Sequence, residues 1–585
     1  MLSLMINNKA IECEDHLTII EAAKQNGINI PSFCYLEGVH SVGSCRVCVV
    51  EVEGAPTLQA SCMTKVKDGM VVKTNTEKVR KARKVVYELM MSDHNQNCLI
   101  CTRNGSCEFQ ELGELLHITE ENPYERTKSK PEVFDISNPA IERDLSKCIL
   151  CRRCVTICND VQGVGILNSQ NRGFNSFVGP AEEFELMDIN CTFCGQCTTV
   201  CPTGALKEKS YIQDVWELIN DPNKRVVVQT APAVRAALGE EFGYEAGTLV
   251  TGKMAAALRM LGFDDIFDTN FAADLTILEE GTEFLGRMKK FLAGEDVSLP
   301  MITSCSPGWI KYIEDHFPDQ LDHLSTCKSP HMMLGALAKN YYAETIGVDK
   351  KDMAVISIMP CTAKKFEASR DEMLGDVDVV LTTRELAKMI KDAGIEFSML
   401  QDESFDTPFG LSSGAADIFG TTGGVMEAAL RTVYEVVTGR DAPFDNLHVE
   451  SVMGLASIKE GSLIFEDVLP EYQGLEGKEV KVAVASGLAN AKILMDQIKE
   501  GKSPYLFIEI MACPGGCISG GGQPRMTTDE VRRKRMNAIY REDEGKVLRK
   551  SHQNTAIQAI YEKFLMEPNG HKSHELLHTH YIHRG

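Results

Sequence analysis

A surplus of positive charge is absent from this 585-residue chain, in which 61 Lys and Arg face 83 Asp and Glu for a formal net charge of −22. Nucleic acid or an anionic membrane surface would be repelled, so neither is expected as the principal partner. Also missing is any run near the ~20 apolar residues that span a bilayer, and no apolar segment follows a basic one at the start, so a cytoplasmic protein is expected. Cysteine is scarce over most of the length: sixteen of the 21 precede residue 202 and five are spread over the rest. Thiols stay free in a reducing compartment, which argues against a disulfide framework and leaves metal or redox ligation as their use. Apolar content of 43% is ordinary for a soluble globular chain. The length predicts about three to five domains at ~100–200 residues each.

What is present begins with residues 1–78. Alternating Leu2, Leu4 and Ile6, a turn at Asn7-Asn8 and the helical pattern Leu17, Ile20, Ala23 predict a small β-rich domain with one helix. Cys34, Cys45, Cys48 and Cys62 follow the spacing C-x10-C-x2-C-x13-C around Gly43. One close pair among four thiolates suits a 2Fe-2S cluster better than zinc, whose sites usually show two close pairs. Cys13 falls outside the pattern. In residues 79–125 a helix from Val79 to Met91 leads into His94-x3-Cys98-x2-Cys101-x5-Cys107. That set suits zinc or a 4Fe-4S cluster by spacing alone, and its setting among other cluster motifs favours iron. Residues 126–209 carry the most specific pattern, Cys148-x2-Cys151-x2-Cys154-x3-Cys158 and Cys191-x2-Cys194-x2-Cys197-x3-Cys201-Pro202. Two such runs predict a bacterial-ferredoxin module with two 4Fe-4S cubanes, Cys158 and Cys201 each crossing to the other run's trio.

From residue 210 to about 530 the pattern changes to βα alternation. Strands are predicted at Val226-Val227-Val228, Ile266–Asp268, Met301–Thr303, Val355–Ile358, 377–381 and 480–484, with helices such as Thr251–Leu261 and Thr383–Ala393 between them. The fold class expected is thus multidomain α/β and α+β, with the large α/β domain built on mostly parallel sheets. Three loops follow strands: 303–309 with Cys305, 359–367 with Cys361 and Lys364, and 509–524 with Cys513 and Cys517. Four thiols match the need of a cubane, and glycines at 515, 516, 520, 521 and 522 would allow positive φ and close approach to an inorganic group. Residues 531–585 are expected as a polar helix, Val531 to Asn554 and on to Phe564, and a His-rich end that packs on a surface or partner or, as the competing reading, binds metal.

On Thr303-Ser304-Cys305-Ser306-Pro307-Gly308-Trp309, Met359-Pro360-Cys361-Thr362-Ala363-Lys364-Lys365-x-Glu367 and Glu509-x-Met511-Ala512-Cys513-x-x-Gly516-Cys517-x-x-Gly520-Gly521-Gly522-x-Pro524, the chain resembles the iron-only (FeFe) hydrogenases from residue 1 to about 580. The resemblance implies reversible 2H⁺ + 2e⁻ to H₂ at an H-cluster, a 4Fe-4S cubane joined, here through Cys517, to a di-iron unit carrying CO, CN and an azadithiolate. It implies that Lys364 holds a cyanide by a charge-assisted hydrogen bond, that Met359 and Met511 pack the di-iron unit, and that Glu280, Glu283, Ser325 and Arg287 form a proton path. Pro232 and Ala233 fall where relatives contact the cluster, Ala233 replacing a serine that bonds a cyanide. One 2Fe-2S and three accessory 4Fe-4S clusters would carry electrons. Ferredoxin, an NADH-oxidising flavin subunit suggested by the ending Ser573–Tyr581, and maturation proteins are the implied partners.

The chain departs from the family at Cys305-Ser306, where many relatives have adjacent cysteines, one a cubane ligand and one a proton-passing thiol. Ligand chemistry favours Cys305 on iron and Ser306 in the relay, since thiolate is much the better ligand. Register against the family points the other way. Cys327 is a spare thiol for either role, or a buried incidental cysteine. Two rival functions remain in view: a non-catalytic or assembly relative, which tends to lose the lysine-bearing loop or the last cysteine, and an electron-relay subunit of a respiratory complex, which resembles residues 1–209 alone.

Overall fold

A computed structural model describes residues 1–39, 42–119, 121–124 and 133–584. The boundary expected between 125 and 126 lies outside the described residues. At the N-terminus the strands Lys9–Cys13, Leu2–Ile6, Val71–Lys73, Val49–Val52 and Gln59–Ala60 form one sheet in that order. The helix Glu77–Ser92 leaves it, started by the Thr76 side chain accepting from the Val79 amide at 3.3 Å. Capping of this kind satisfies an otherwise unpaired helical N–H.

The large domain holds two four-stranded sheets. One runs Asp265–Asp268, Arg225–Thr230, Met353–Met359, Val379–Thr382, all parallel. Every residue of Met353–Met359 is buried, as a central parallel strand covered by helices on both faces requires. The other runs Met301–Ile302, Phe507–Met511, Glu479–Ser486, Ile458–Ile464, parallel except for its last pair. The antiparallel edge Ile458–Ile464 was not expected; its Ile-Lys-Glu-Gly-Ser-Leu-Ile lacks the apolar run of its neighbours because one face meets solvent. Parallel order places the loops at 231–233, 303–306, 359–364 and 512–517 at the carboxyl ends of their strands, where open α/β sheets hold ligands.

The tail departs from the long helix expected. Asp529–Gly545 is helical, then the chain turns away and resumes in Thr555–Ile560 and His571–Leu577. The break brings Lys546 to Asp417 (2.8 Å) and Arg549 to Asp543 (2.7 Å), two fully buried carboxylates that need a cation. The last helix packs on the helix Pro330–Leu337, and His578 just past its end meets the helix Thr269–Leu292, its Nε2 3.2 Å from Glu279. Among the described residues no helix is long and apolar enough to cross a membrane.

Candidate active site

The accessory ligand sets are each gathered. Cys34, Cys45, Cys48 and Cys62 are buried, and the sulfurs of Cys48 and Cys62 lie 3.4 Å apart. Hydrogen bonding from Cys45 and Cys62 pulls the Cys34 thiol far below its usual range. Arg83 clamps that loop to the following helix by donating to the carbonyls of Val47 (3.0 Å) and Val49 (2.9 Å). His94, Cys98, Cys101 and Cys107 line one cavity of about 170 Å³ with Tyr87 and Phe109. Cys148, Cys151, Cys154 and Cys201 line a second, and Cys158, Cys191, Cys194 and Cys197 a third. The fourth cysteine of each ferredoxin-like run therefore stands with the other run's trio.

A further cavity of about 80 Å³ lies where the two large sheets point their strand ends. Cys305, Ser306, Cys361, Cys513 and Cys517 line it, with Lys364, Met359, Met511 and Pro232. Ala233 is buried beside it, behind Pro232, and its carbonyl accepts from Gln523 Nε2 at 2.9 Å. Burial pushes the thiols of Cys305 and Cys513 well up and that of Cys517 to about 12. Neutral thiols crowded into an apolar hole stabilise nothing by themselves, whereas iron takes them as thiolates; the donor set fits an iron–sulfur group.

The glycines of the last loop divide between cavity and packing: Gly516 and Gly520 line the cavity, whereas Gly521 and Gly522 do not and serve packing instead. Positive φ occurs at Gly515 and Gly516 only, at +84° and +90°. A Cβ on Gly520 would strike the Pro360 carbonyl, one on Gly521 the Cys194 carbonyl, and one on Gly522 would lie 2.8 Å from Thr382 Cβ. The ferredoxin-like loop is thereby pressed onto the catalytic loops: Gln196 Nε2 donates to Ser519 O at 2.9 Å and Thr362 Oγ1 to Phe193 O at 2.7 Å. Cys194 lines both its own cavity and the catalytic one. Gly521→Ala should accordingly destabilise this junction by roughly 1–3 kcal/mol, a typical cost of overpacking. Thermal unfolding of the cluster-loaded protein measures it; an unchanged midpoint would mean that the loops are not in contact.

Lys364 is fixed from beneath. Its Nζ donates to Cys305 O (3.0 Å) and Glu367 Oε2 (2.8 Å), and the same carboxylate oxygen meets His331 Nε2 at 2.7 Å. Burial favours a protonated Glu367, but Lys364 and His331 outweigh it and hold the carboxyl at about 2. Burial, then Lys364, lowers His331 to about 4, so its ring is neutral. His331 lines the cavity and was missed in the sequence, where Ser329-Pro330-His331 carries no motif.

On the other side stand the acids. Glu280 is buried on Thr269–Leu292, and burial first, then Glu283, lifts its carboxyl to about 8. The Ser325 hydroxyl donates to Glu283 Oε2 at 3.0 Å, and Ser325 also counters part of the upward shift of Glu280. Arg287 caps the outer end, 2.7 Å from Glu283 Oε1. Beyond burial, Glu280 pushes the Cys305 thiol up and Lys364 pulls it down. The Ser306 hydroxyl faces instead the loop of Cys513, accepting from the Ala512 amide at 3.2 Å. Cys327 is fully buried and lies outside the cavity, on the side of the acids, so the structure does not place it as a substitute ligand.

Residues 224–521 match the family described as iron only hydrogenase large subunit, C-terminal domain, just over half of the chain. The chain belongs to the iron-only hydrogenases. Upstream, this hydrogenase matches a 2Fe-2S iron-sulfur cluster binding domain at 1–77, the NADH-ubiquinone oxidoreductase-G iron-sulfur binding region at 83–122 and a 4Fe-4S dicluster domain at 147–205. Residues 529–584 match the iron hydrogenase small subunit. The chain is 51% identical to the NADP-reducing hydrogenase subunit HndD of Solidesulfovibrio fructosivorans, over 100% of this chain and 99% of that one. It is 38% identical to iron hydrogenase 1 of Clostridium pasteurianum over 99% and 100%. A solved variant of FeFe-hydrogenase HydA1 from Chlamydomonas reinhardtii, 44% identical, superposes with TM-score 0.58 over 64% of this chain and 100% of that one. The protein is thus an iron-only hydrogenase with N-terminal iron–sulfur domains.

Proposed function

We propose that this hydrogenase interconverts 2H⁺ + 2e⁻ and H₂ in the cytoplasm at an H-cluster held by Cys361, Cys513, Cys517 and the 305–306 pair. One observation carries the reading: the thiol-lined cavity meets Cys194 of the ferredoxin-like module on one side, and its Cys305 lies within electrostatic reach of the buried Glu280 on the other. Electrons and protons have separate approaches to one buried site. The bound di-iron group supplies the redox centre at which H₂ forms or splits. The protein's own residues do the rest: Lys364, oriented by Glu367 and His331, presents an ammonium to a cyanide, Met359 and Met511 exclude water, and the Glu283–Ser325–Glu280 sequence loads a proton toward Cys305.

The geometry favours Cys305 as the proton donor and Ser306 at the cubane corner, against the preference drawn from ligand chemistry. The buried Glu280 lies within electrostatic reach of the Cys305 thiol, while the Ser306 hydroxyl is turned to the loop that carries Cys513. We assign residues 1–78 to one 2Fe-2S cluster and 79–125 and 126–209 to three 4Fe-4S clusters, with 210–530 catalytic and 531–585 its small-subunit-like cover. The name of the S. fructosivorans relative supports a nicotinamide-linked flavin subunit as electron partner, alongside ferredoxin. Maturation proteins would install the di-iron group.

Infrared spectroscopy of the matured protein tests this reading, because iron-bound CO and CN absorb where polypeptide does not. Absence of those bands in protein with full accessory iron would refute it. The electron path has its own test. Deleting residues 1–125 should leave H₂ evolution from a small artificial reductant within a few-fold while lowering that from reduced ferredoxin at least ~10-fold. Residues 126–209 must stay, since Gln196 and Thr198 bond to Ser519 and Gly521. Equal loss with both donors would show that residues 1–125 do more than conduct.

A further inference from the structure

We infer that the C-terminal segment gives the proton path a second inlet, through His578 and Thr326 into Glu283. The inference rests on the Glu283 path proposed above. Thr326 Oγ1 lies 3.2 Å from Glu283 Oε2 and 2.8 Å from His578 Nδ1. Its one hydroxyl proton is donated to the carboxylate while its lone pair accepts from the imidazole. A proton passes when the Thr326 hydroxyl gives its own to Glu283 and takes the one on Nδ1; Glu283 ends protonated, His578 ends with one proton fewer and threonine is unchanged. His578 is 7% exposed, and the exposed His574 ring lies over it with centroids 4.2 Å apart, which puts the imidazole one ring from solvent.

The other mouth of the path is closed by comparison. Arg287 covers Glu283 and spends its remaining N–H groups on the carbonyls of Ser298 (3.2 Å), Asp322 (2.9 Å) and Leu324 (2.7 Å). A guanidinium does not deprotonate near neutral pH and cannot pass a proton on, whereas imidazole titrates there.

Glu283, Cys327 and His578 also place ligand atoms within 4.8 Å of one another, as a divalent cation would need. Against a cation, Glu283 already holds the Arg287 cation on one oxygen and donors from Ser325, the Thr326 amide and the Thr326 hydroxyl on the other. The cluster is built to carry protons. Facing His578 are Glu279, held by the Tyr561 hydroxyl at 2.6 Å and the Asn569 amide at 2.7 Å, then Glu283, the Cys327 thiol and His574, with Arg287 beyond Glu283.

The test uses the matured full-length enzyme with an artificial reductant. His578→Gln keeps a hydrogen-bonding side chain that cannot titrate, and Thr326→Val keeps the branched shape without the hydroxyl. Each should lower H₂ evolution about 3- to 10-fold, steepen its fall above the histidine range, and leave the infrared bands in place; imidazole in the buffer should restore His578→Gln but not Thr326→Val. Parent-like rate and pH profile in both variants, or a loss in His578→Gln that imidazole does not relieve, would each overturn the inlet. Glu283→Gln measured alongside separates the two readings: if it abolishes turnover while both inlet variants are normal, only the inlet fails, and if all three are normal the Glu283 path fails as well.

Discussion

Glu283→Gln should lower H₂ turnover by about 10²- to 10⁴-fold, the span expected when a positioned proton-transfer group is lost, with cluster iron and infrared bands unchanged. Glutamine fills the same volume and can still accept from Ser325 and Thr326, which now bond the carboxylate at 3.0 and 3.2 Å. What it cannot do is hold a proton between them and release it toward Glu280. The step inward is favoured by the electrostatics already present. Burial and the Glu283 charge keep Glu280 at about 8, so at neutral pH its carboxyl carries a proton. The sign follows: below about 8 the inner acid is loaded, and above it the supply fails, so H₂ evolution should decline on the alkaline side with a midpoint near that value. Replacing Glu283 also removes the neighbouring anion and should move that midpoint down. Stopped-flow or electrode turnover against pH in the two proteins checks both statements, and near-normal turnover in Glu283→Gln would mean that protons reach the site another way.

The groupings of cysteines around their cavities were legible in the sequence because their spacings are local. Cys191, Cys194 and Cys197 sit at intervals that one turn of backbone brings around a single cavity, and no distant residue is needed to see it. The long-range parts were less legible. His331 reaches Glu367 only because the segment after Ser329 and the strand Met353–Met359 meet across a fold whose contacts are not periodic in the chain. His578 meets Thr326 at a separation of 252 residues, and a His-rich ending read alone gives no hint of which ring is buried. Among the glycines of the last loop, Gly521 and Gly522 clear the Cys194 carbonyl and the Thr382 side chain, contacts set by tertiary packing that no local spacing reveals. The edge strand Ile458–Ile464 escaped because an amphipathic strand of seven residues with a central glycine carries a weak signal.

At Cys305-Ser306 two arguments from chemistry collide, and paired substitutions decide between them. If Cys305 passes protons, Cys305→Ala should keep full iron and the cubane signal in electron paramagnetic resonance while turnover drops at least ~10²-fold. Ser306→Ala should then weaken the cubane, since an oxygen ligand is exchanged for none, and the site would lose iron or change its resonance on standing. One contact supports this arrangement: the Ser306 oxygen accepts from the amide of Ala512, next to Cys513, while the buried Glu280 helps to push the Cys305 thiol up. If Cys305 is instead the ligand, the outcomes exchange, with iron lost in Cys305→Ala and only proton delivery impaired in Ser306→Ala. Ser306→Cys adds a third discriminating result. With Ser306 at the corner, the new thiolate is a stronger ligand for iron than the hydroxyl it replaces, so cubane stability and resonance should change while the proton-limited rate holds. With Ser306 in the relay, the resonance should stay fixed and the rate should rise, because a thiol titrates closer to neutral pH than a hydroxyl and hands a proton on more readily. Iron content and spectra of Cys305→Ala come first: a lost cubane there would return Cys305 to the metal and leave the serine to carry the proton.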